Sequence, residues 1–184
     1  MKAHILALGA VASISLVGCA ATDYGVEPDD DFPQALTASA QLLDASGRAM
    51  GTATATQSGD SIRVRIEGVG LPSGAHGAHV HMTGQCIAPG FDSAGGHWNP
   101  TNRGHGSENP AGMHKGDMPN ILIGTNGAGT LEYTIAAARI SGSSDALLDE
   151  DGAAIVIHSG PDDYRSDPSG NSGARIACGV FAAA

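Results

Sequence analysis

The 184-residue sequence predicts an all-β fold, an antiparallel sandwich or barrel, on three observations. Short β-prone runs recur between glycine-rich turns, one of them alternates strictly between apolar and charged residues, and no long amphipathic helix interrupts the series. The first run, 36–44, ends at Ser46-Gly47, and the second, 50–56, at Ser58-Gly59-Asp60. The third, 61–69, places Ile62, Val64 and Ile66 on one face and Arg63, Arg65 and Glu67 on the other. Such a period of two marks a strand with one face in a core and one in water. Five further strands are predicted at 74–81, 120–125, 130–137, 153–158 and 174–181, making eight. Between them, 82–119 carries eight glycines and little periodicity. A stretch that long inside a compact domain needs a functional role or an organising ion.

Composition narrows the function. The hydrophobic share is 41%, enough for a core, and 19 acidic residues face 9 basic ones for a formal charge of -10. That balance speaks against a nucleic-acid partner, whose phosphates demand a basic surface. Residues 1–18 read as an export signal: Lys2 gives the positive start, and 5–17 is small and apolar. The signal ends in Leu16-Val17-Gly18-Cys19, which resembles a bacterial lipobox and implies lipid modification of Cys19. Residues 19–35 gather Asp23, Glu27, Asp29, Asp30 and Asp31 around Pro28 and Pro33, a composition suited to an acidic, disordered tether. The domain proper, 36–184, keeps eight basic against fourteen acidic residues, a charge of -6. Ala20 after the cysteine, in place of an aspartate, favours the outer membrane, on its periplasmic side.

The chemistry sits in the histidines. Of the eight, only His4 lies outside the domain. His79 and His81 stand two apart near the end of a predicted strand, so both rings face the same side. His158 closes another predicted strand. The long loop carries His97, His105, His114 and Asp117, separated by seven, eight and two residues. Three imidazoles and one carboxylate match a closed four-ligand zinc site, which would also order a glycine-rich loop.

Four segments then resemble one family: His76-Gly77-Ala78-His79-Val80-His81, Gly96-His97-Trp98-Asn99-Pro100, His114-Lys115-Gly116-Asp117, and Gly170-Asn171-Ser172-Gly173-Ala174-Arg175-Ile176-Ala177-Cys178-Gly179. Over about 36–184 the chain is similar to the copper-zinc superoxide dismutases. The resemblance implies an eight-stranded antiparallel Greek-key barrel, flattened like an immunoglobulin sandwich, with a long metal-binding loop. It implies one copper and one zinc per subunit. Copper would be held by His79, His81, His97 and His158, and zinc by His97, His105, His114 and Asp117, with His97 shared. His76 would brace the copper end, and Asp162 would link a copper histidine to a zinc histidine. Cys86 and Cys178 would form the family's disulfide, leaving Cys19 for lipid. Arg175 would guide the superoxide anion, which the family converts to dioxygen and hydrogen peroxide.

Gly160 stands where eukaryotic members of the family often carry a basic residue, and 163–170 is short, so weak electrostatic steering is expected. A homodimer is compatible with the family, but the sequence marks no interface. The same ligands could serve a tethered protein that merely buffers copper and zinc; Arg175 and the complete set speak for turnover.

Overall fold

The structure, a computed structural model, describes residues 36–184. The signal, Cys19 and the tether lie outside the described residues. Ten strands follow in order: β1 (Thr37–Leu43), β2 (Ala49–Ser58), β3 (Ser61–Gly68), β4 (Gly74–His76), β5 (Ala78–His81), β6 (Ile121–Ile123), β7 (Gly129–Ile135), β8 (Ala154–His158), β9 (Arg175–Val180) and β10 (Ala182–Ala183). Among the described residues no helix is long and apolar enough to cross a membrane.

The main sheet is antiparallel in the order β5-β8-β9-β1-β2-β3-β7, with β10 added along β1. Placing the late strands β8 and β9 between β5 and β1 is the crossing connection of a Greek key. A two-stranded ribbon, β4-β6, links the ends of this curled sheet through the chain itself. β6 turns into β7 at Gly124–Ala128, where Gly124 N–H donates to Ala128 O. β4 runs into β5 through Gly77.

That passage divides the predicted 74–81 strand in two. Gly77 leaves both ladders, giving its N–H to Gly160 O and its carbonyl to His158 N–H. β4 then pairs with β6 while β5 pairs with β8. The predicted alternation of 61–69 is present in β3: Ile62, Val64 and Ile66 are buried and Arg63, Arg65 and Glu67 are exposed. Burying each of the three stabilises the sheet by roughly 1.5–3 kcal/mol. They join Leu42, Ile121, Ile140, Leu147, Ile155 and Ile157 in the main core. β8 is buried along its whole length because a second, smaller cluster covers its other face. There Phe91 and Ala94 of the long loop pack on Ala154, Val156 and Cys178. The Cys86–Cys178 disulfide fastens that loop to β9.

Candidate metal centre

β5 is the platform of the site. In register with β8, it turns His79 and His81 to one side. Its other edge is closed by both arms of the long loop: Val80 N–H donates to Gly116 O, Trp98 N–H to Val80 O, and Met82 N–H to Gly96 O. These bonds set His97 opposite His81 and Asp117 opposite His79. The approach is so close that a Cβ on Gly116 would lie 2.1 Å from Val80 O, so only glycine fits. His158 comes from the end of β8, where the register with β9 shifts between Ile157 and His158 and re-aims the ring.

Two ligand sets result, sharing His97. The first is His79, His81, His97 and His158; the second is His97, His105, His114 and Asp117; within each, ligand atoms lie within 4.8 Å of one another. All seven residues are buried. In the first set each ring spends one nitrogen on a fixed acceptor. His81 Nδ1 donates to Gly95 O at 2.9 Å, His158 Nδ1 to Gly173 O at 3.1 Å, and His79 Nε2 to Asp162 Oδ2 at 2.7 Å. His97 Nδ1 faces Asp117 Oδ1 at 2.7 Å. The remaining nitrogens, His79 Nδ1 and the Nε2 atoms of His81, His97 and His158, are buried with no hydrogen-bond partner. A neutral imidazole with one donor nitrogen keeps a lone pair on the other. Four buried lone pairs converging without a donor fit a cation, and an all-imidazole set suits copper.

The second set is organised by Asp117. Its Oδ2 accepts the N–H groups of Gly106 (2.8 Å) and His114 (2.9 Å). Its Oδ1 is thereby turned toward the Nδ1 atoms of His97, His105 and His114, at 2.7, 3.1 and 3.2 Å. Three nitrogens and one oxygen around one point match a tetrahedral zinc site. Asp162 ties the two sets together, its Oδ1 bonding His105 Nε2 at 3.0 Å and its Oδ2 bonding His79.

The electrostatics agree with two cations. Burial depresses the first-set rings, His81 to about 2 and His97 and His158 to about 4, so they present neutral nitrogens at pH 7. Burial also lowers His79. Burial works against ionisation of Asp117 and Asp162, yet hydrogen bonds from His105, and from His97 and His79 respectively, hold both well below the usual carboxylate range. Burial likewise opposes a charge on His105, but Asp117 and Asp162 raise it to about 9. Two buried carboxylates thus concentrate negative charge around His105, and a cation taking the place of a proton on its Nδ1 would balance that charge.

A cavity of about 530 Å³ opens over the first set, lined by His81, His97, His158 and Arg175, with Met82, Asn99 and Ser169 at its sides. Arg175 is half-buried and fixed by two main-chain acceptors, Phe91 O (2.6 Å) and Gly95 O (2.7 Å). It is the arginine of that cavity wall. His76 is buried between His158 O (2.8 Å) and Pro72 O (2.9 Å), behind the first set. The seven predicted ligands, His76, Asp162 and Arg175 are therefore in or beside one centre, while Cys86 and Cys178 tie the long loop to β9.

The model of the copper/zinc superoxide dismutase (SODC) family matches residues 49–181. This chain belongs to the copper/zinc superoxide dismutase family. The superoxide dismutase [Cu-Zn] 2 of Aquifex aeolicus is 43% identical over 154 residues, spanning 82% of this chain and 89% of that relative. The superoxide dismutase [Cu-Zn] of Deinococcus radiodurans is 39% identical over 192 residues, spanning 97% and 94%. The crystal structure of a SOD-like protein from Bacillus subtilis matches with a TM-score of 0.73 at 39% identity, covering 77% of this chain and 96% of that one.

Sequence reasoning missed the supports of this superoxide dismutase centre. Gly95 O, Gly173 O and Phe91 O hold His81, His158 and Arg175, and a main-chain carbonyl carries no residue signature. Asp167, whose carboxylate accepts His105 N–H at 2.6 Å, and Asn120, which bonds Asp162, were also missed. For Asn120 the available signal was a polar residue opening an apolar strand directly after Pro119.

Proposed function

We propose that this chain dismutes superoxide, turning two superoxide anions and two protons into dioxygen and hydrogen peroxide. In this reading His79, His81, His97 and His158 hold copper, and His97, His105, His114 and Asp117 hold zinc. The observation that carries it is the set of four buried, unpartnered imidazole nitrogens, one of them on a ring whose other nitrogen belongs to the second set. Copper, when bound, supplies the one-electron couple for both halves of the cycle, and zinc keeps its own oxidation state.

The rest is the work of the chain. Arg175 binds and orients the incoming anion at the cavity wall, its guanidinium held by Phe91 O and Gly95 O. His97 Nε2, when not engaged by the metal, would take up one proton and give it to the second superoxide anion, whose other proton would come from solvent. Asp117 and Asp162 keep the rings from turning while this happens. The burial of the rings excludes competing water from their nitrogens. Metal buffering without turnover leaves Arg175 and the open cavity without a use.

The chain is further read as exported through the 1–18 signal and anchored by lipid at Cys19, with 19–35 as tether and 36–184 as catalytic domain. The Cys86–Cys178 bond suits a periplasmic address, since disulfides persist in oxidising compartments. The test of activity is a xanthine oxidase–cytochrome c competition with copper- and zinc-loaded protein, beside His81→Ala and metal stoichiometry. Loaded protein that competes no better than His81→Ala sinks the enzyme reading. Mass spectrometry of the mature N-terminus tests the anchor: a lipid-modified Cys19 is expected, and a chain cut elsewhere overturns it.

A further inference from the structure

We propose that Tyr164, acting through Asn120, is a positioning residue for the metal centre; the inference rests on the assignment of zinc to the His97, His105, His114 and Asp117 set. Asp162 carries the link between the two ligand sets, yet it lies on the segment after β8, outside any strand. Something must fix that segment against the barrel. Asn120 does so from the residue before β6. Its Oδ1 accepts Asp162 N–H at 2.7 Å, and its Nδ2 donates to Asp162 O at 3.0 Å. The carboxamide thus imitates a strand neighbour and holds the Asp162 main chain by both its polar groups.

A carboxamide has two ends of nearly equal size, and flipping it would set Oδ1 against Asp162 O. The Asp162 main chain itself opposes the flip, and Tyr164 anchors the correctly turned carboxamide from its other side. Its Oη accepts from Asn120 Nδ2 at 2.8 Å and from the Asn120 main-chain N–H at 2.9 Å, using both of its lone pairs. Asn120 is therefore anchored, through its side chain and its main-chain N–H, by a phenol two residues beyond the carboxylate that Asn120 positions. The Tyr164 main chain joins in: its N–H donates to Asp162 Oδ1 at 2.7 Å, and its carbonyl accepts Glu108 N–H at 3.0 Å, three residues from His105. Tyr164 thus touches the residue that leads into β6, the bridging carboxylate and the zinc loop at once, without being in either ligand set.

The test uses the full-length protein and three variants, Tyr164→Phe, Asn120→Ala and the double variant, with zinc affinity from chelator competition and the visible spectrum of cobalt(II) in the zinc position. Loss of an outer partner typically weakens metal binding about 10–100-fold, and we expect about tenfold for Tyr164→Phe and more for Asn120→Ala. Tyr164→Phe should also shift the cobalt bands, which report ligand orientation and which loss of stability alone would not move. Because Tyr164 works through Asn120, the double variant should lose no more zinc affinity than Asn120→Ala alone. Parent-like affinity and spectrum in Tyr164→Phe, or additive losses in the double variant, overturn the proposal. If Asn120→Ala fails to fold, the spectrum of Tyr164→Phe decides. A parent that binds neither zinc nor cobalt overturns the metal assignment, and the inference with it.

Discussion

Replacing Gly170 by alanine places one methyl group against the linkage between the two ligand sets. Gly170 has φ 64°, and a side chain in that left-handed region costs about 1–2 kcal/mol. The steric effect is larger. A Cβ there would stand 1.8 Å from Asp162 Oδ1, 2.5 Å from its Cγ and 2.8 Å from His105 Nε2. Non-bonded atoms settle near 3.5–4.0 Å, so the carboxylate must retreat by about 1.7 Å. Its bonds to His79 at 2.7 Å and His105 at 3.0 Å cannot survive that displacement. Each hydrogen bond to a charged group contributes about 1.5–3 kcal/mol, so with the backbone cost the loss reaches about 4 kcal/mol or more. For a domain of this size that lowers the melting temperature by about 8 °C or more. Scanning calorimetry of the metal-free protein reads the stability, and chelator competition should show zinc held about 10–100-fold more weakly. A Gly170→Ala protein that melts within 2 °C of the parent (roughly 1 kcal/mol) and keeps its zinc affinity would falsify this account of the linkage.

Four further expectations follow. The Cys86–Cys178 bond spans 92 positions, and the chain-entropy model assigns its closure about 4–5 kcal/mol; Cys86→Ser should lower urea stability by that order, and an unchanged midpoint would refute it. Arg175→Ala should reduce kcat/KM for superoxide about tenfold and flatten its salt dependence, measured by pulse radiolysis. With a domain charge of -6, the parent's own rate should sit below the diffusion limit and fall gently with ionic strength; a steep fall from the limit contradicts weak steering. In the metal-free protein, burial keeps His81, His97 and His158 neutral down to about 2, 4 and 4, whereas the unfolded chain takes up those protons near 6.5. Stability should therefore fall as pH drops from 6.5 toward 4. His105, raised to about 9, works in the opposite sense: its contribution is present below 6.5 and fades as pH climbs toward 9. Melting curves from pH 4 to 9 should peak near 6.5, and a flat profile would contradict the assigned environments.

The strands whose side chains alternate between core and water were legible as written. β3 is the plainest case, since Ile62, Val64 and Ile66 had to share a face whatever lay behind them. β5 and β8 are buried on both faces, so their residues carry no alternation; their recognition rested on β-branched composition and on the histidines at their ends. The break at Gly77 had no apolar pattern to announce it, because it depends on which strands the two halves meet. β10 is two alanines, too short for any period. The segment after β7 was passed over, yet Ile140 and Leu147 from it are fully buried. Its main chain bonds to itself and to Gln57 across turns, an arrangement without a repeat to read. At the centre, ligand identity was readable because imidazoles and carboxylates are rare and chemically marked. What holds them was less so, being mostly carbonyls and one carboxamide.

One feature of the loop bears on how the protein matures. Phe91 and Gly95, whose carbonyls grip the Arg175 guanidinium, lie just beyond Cys86, while Arg175 itself precedes Cys178 by three positions on β9. The sulfur bridge closes a small circuit around the cation that greets the anion. In a polypeptide whose thiols are still free, only hydrogen bonds and packing keep the two sides of that circuit together. Oxidation therefore adds a covalent brace to the two sides that place the guanidinium.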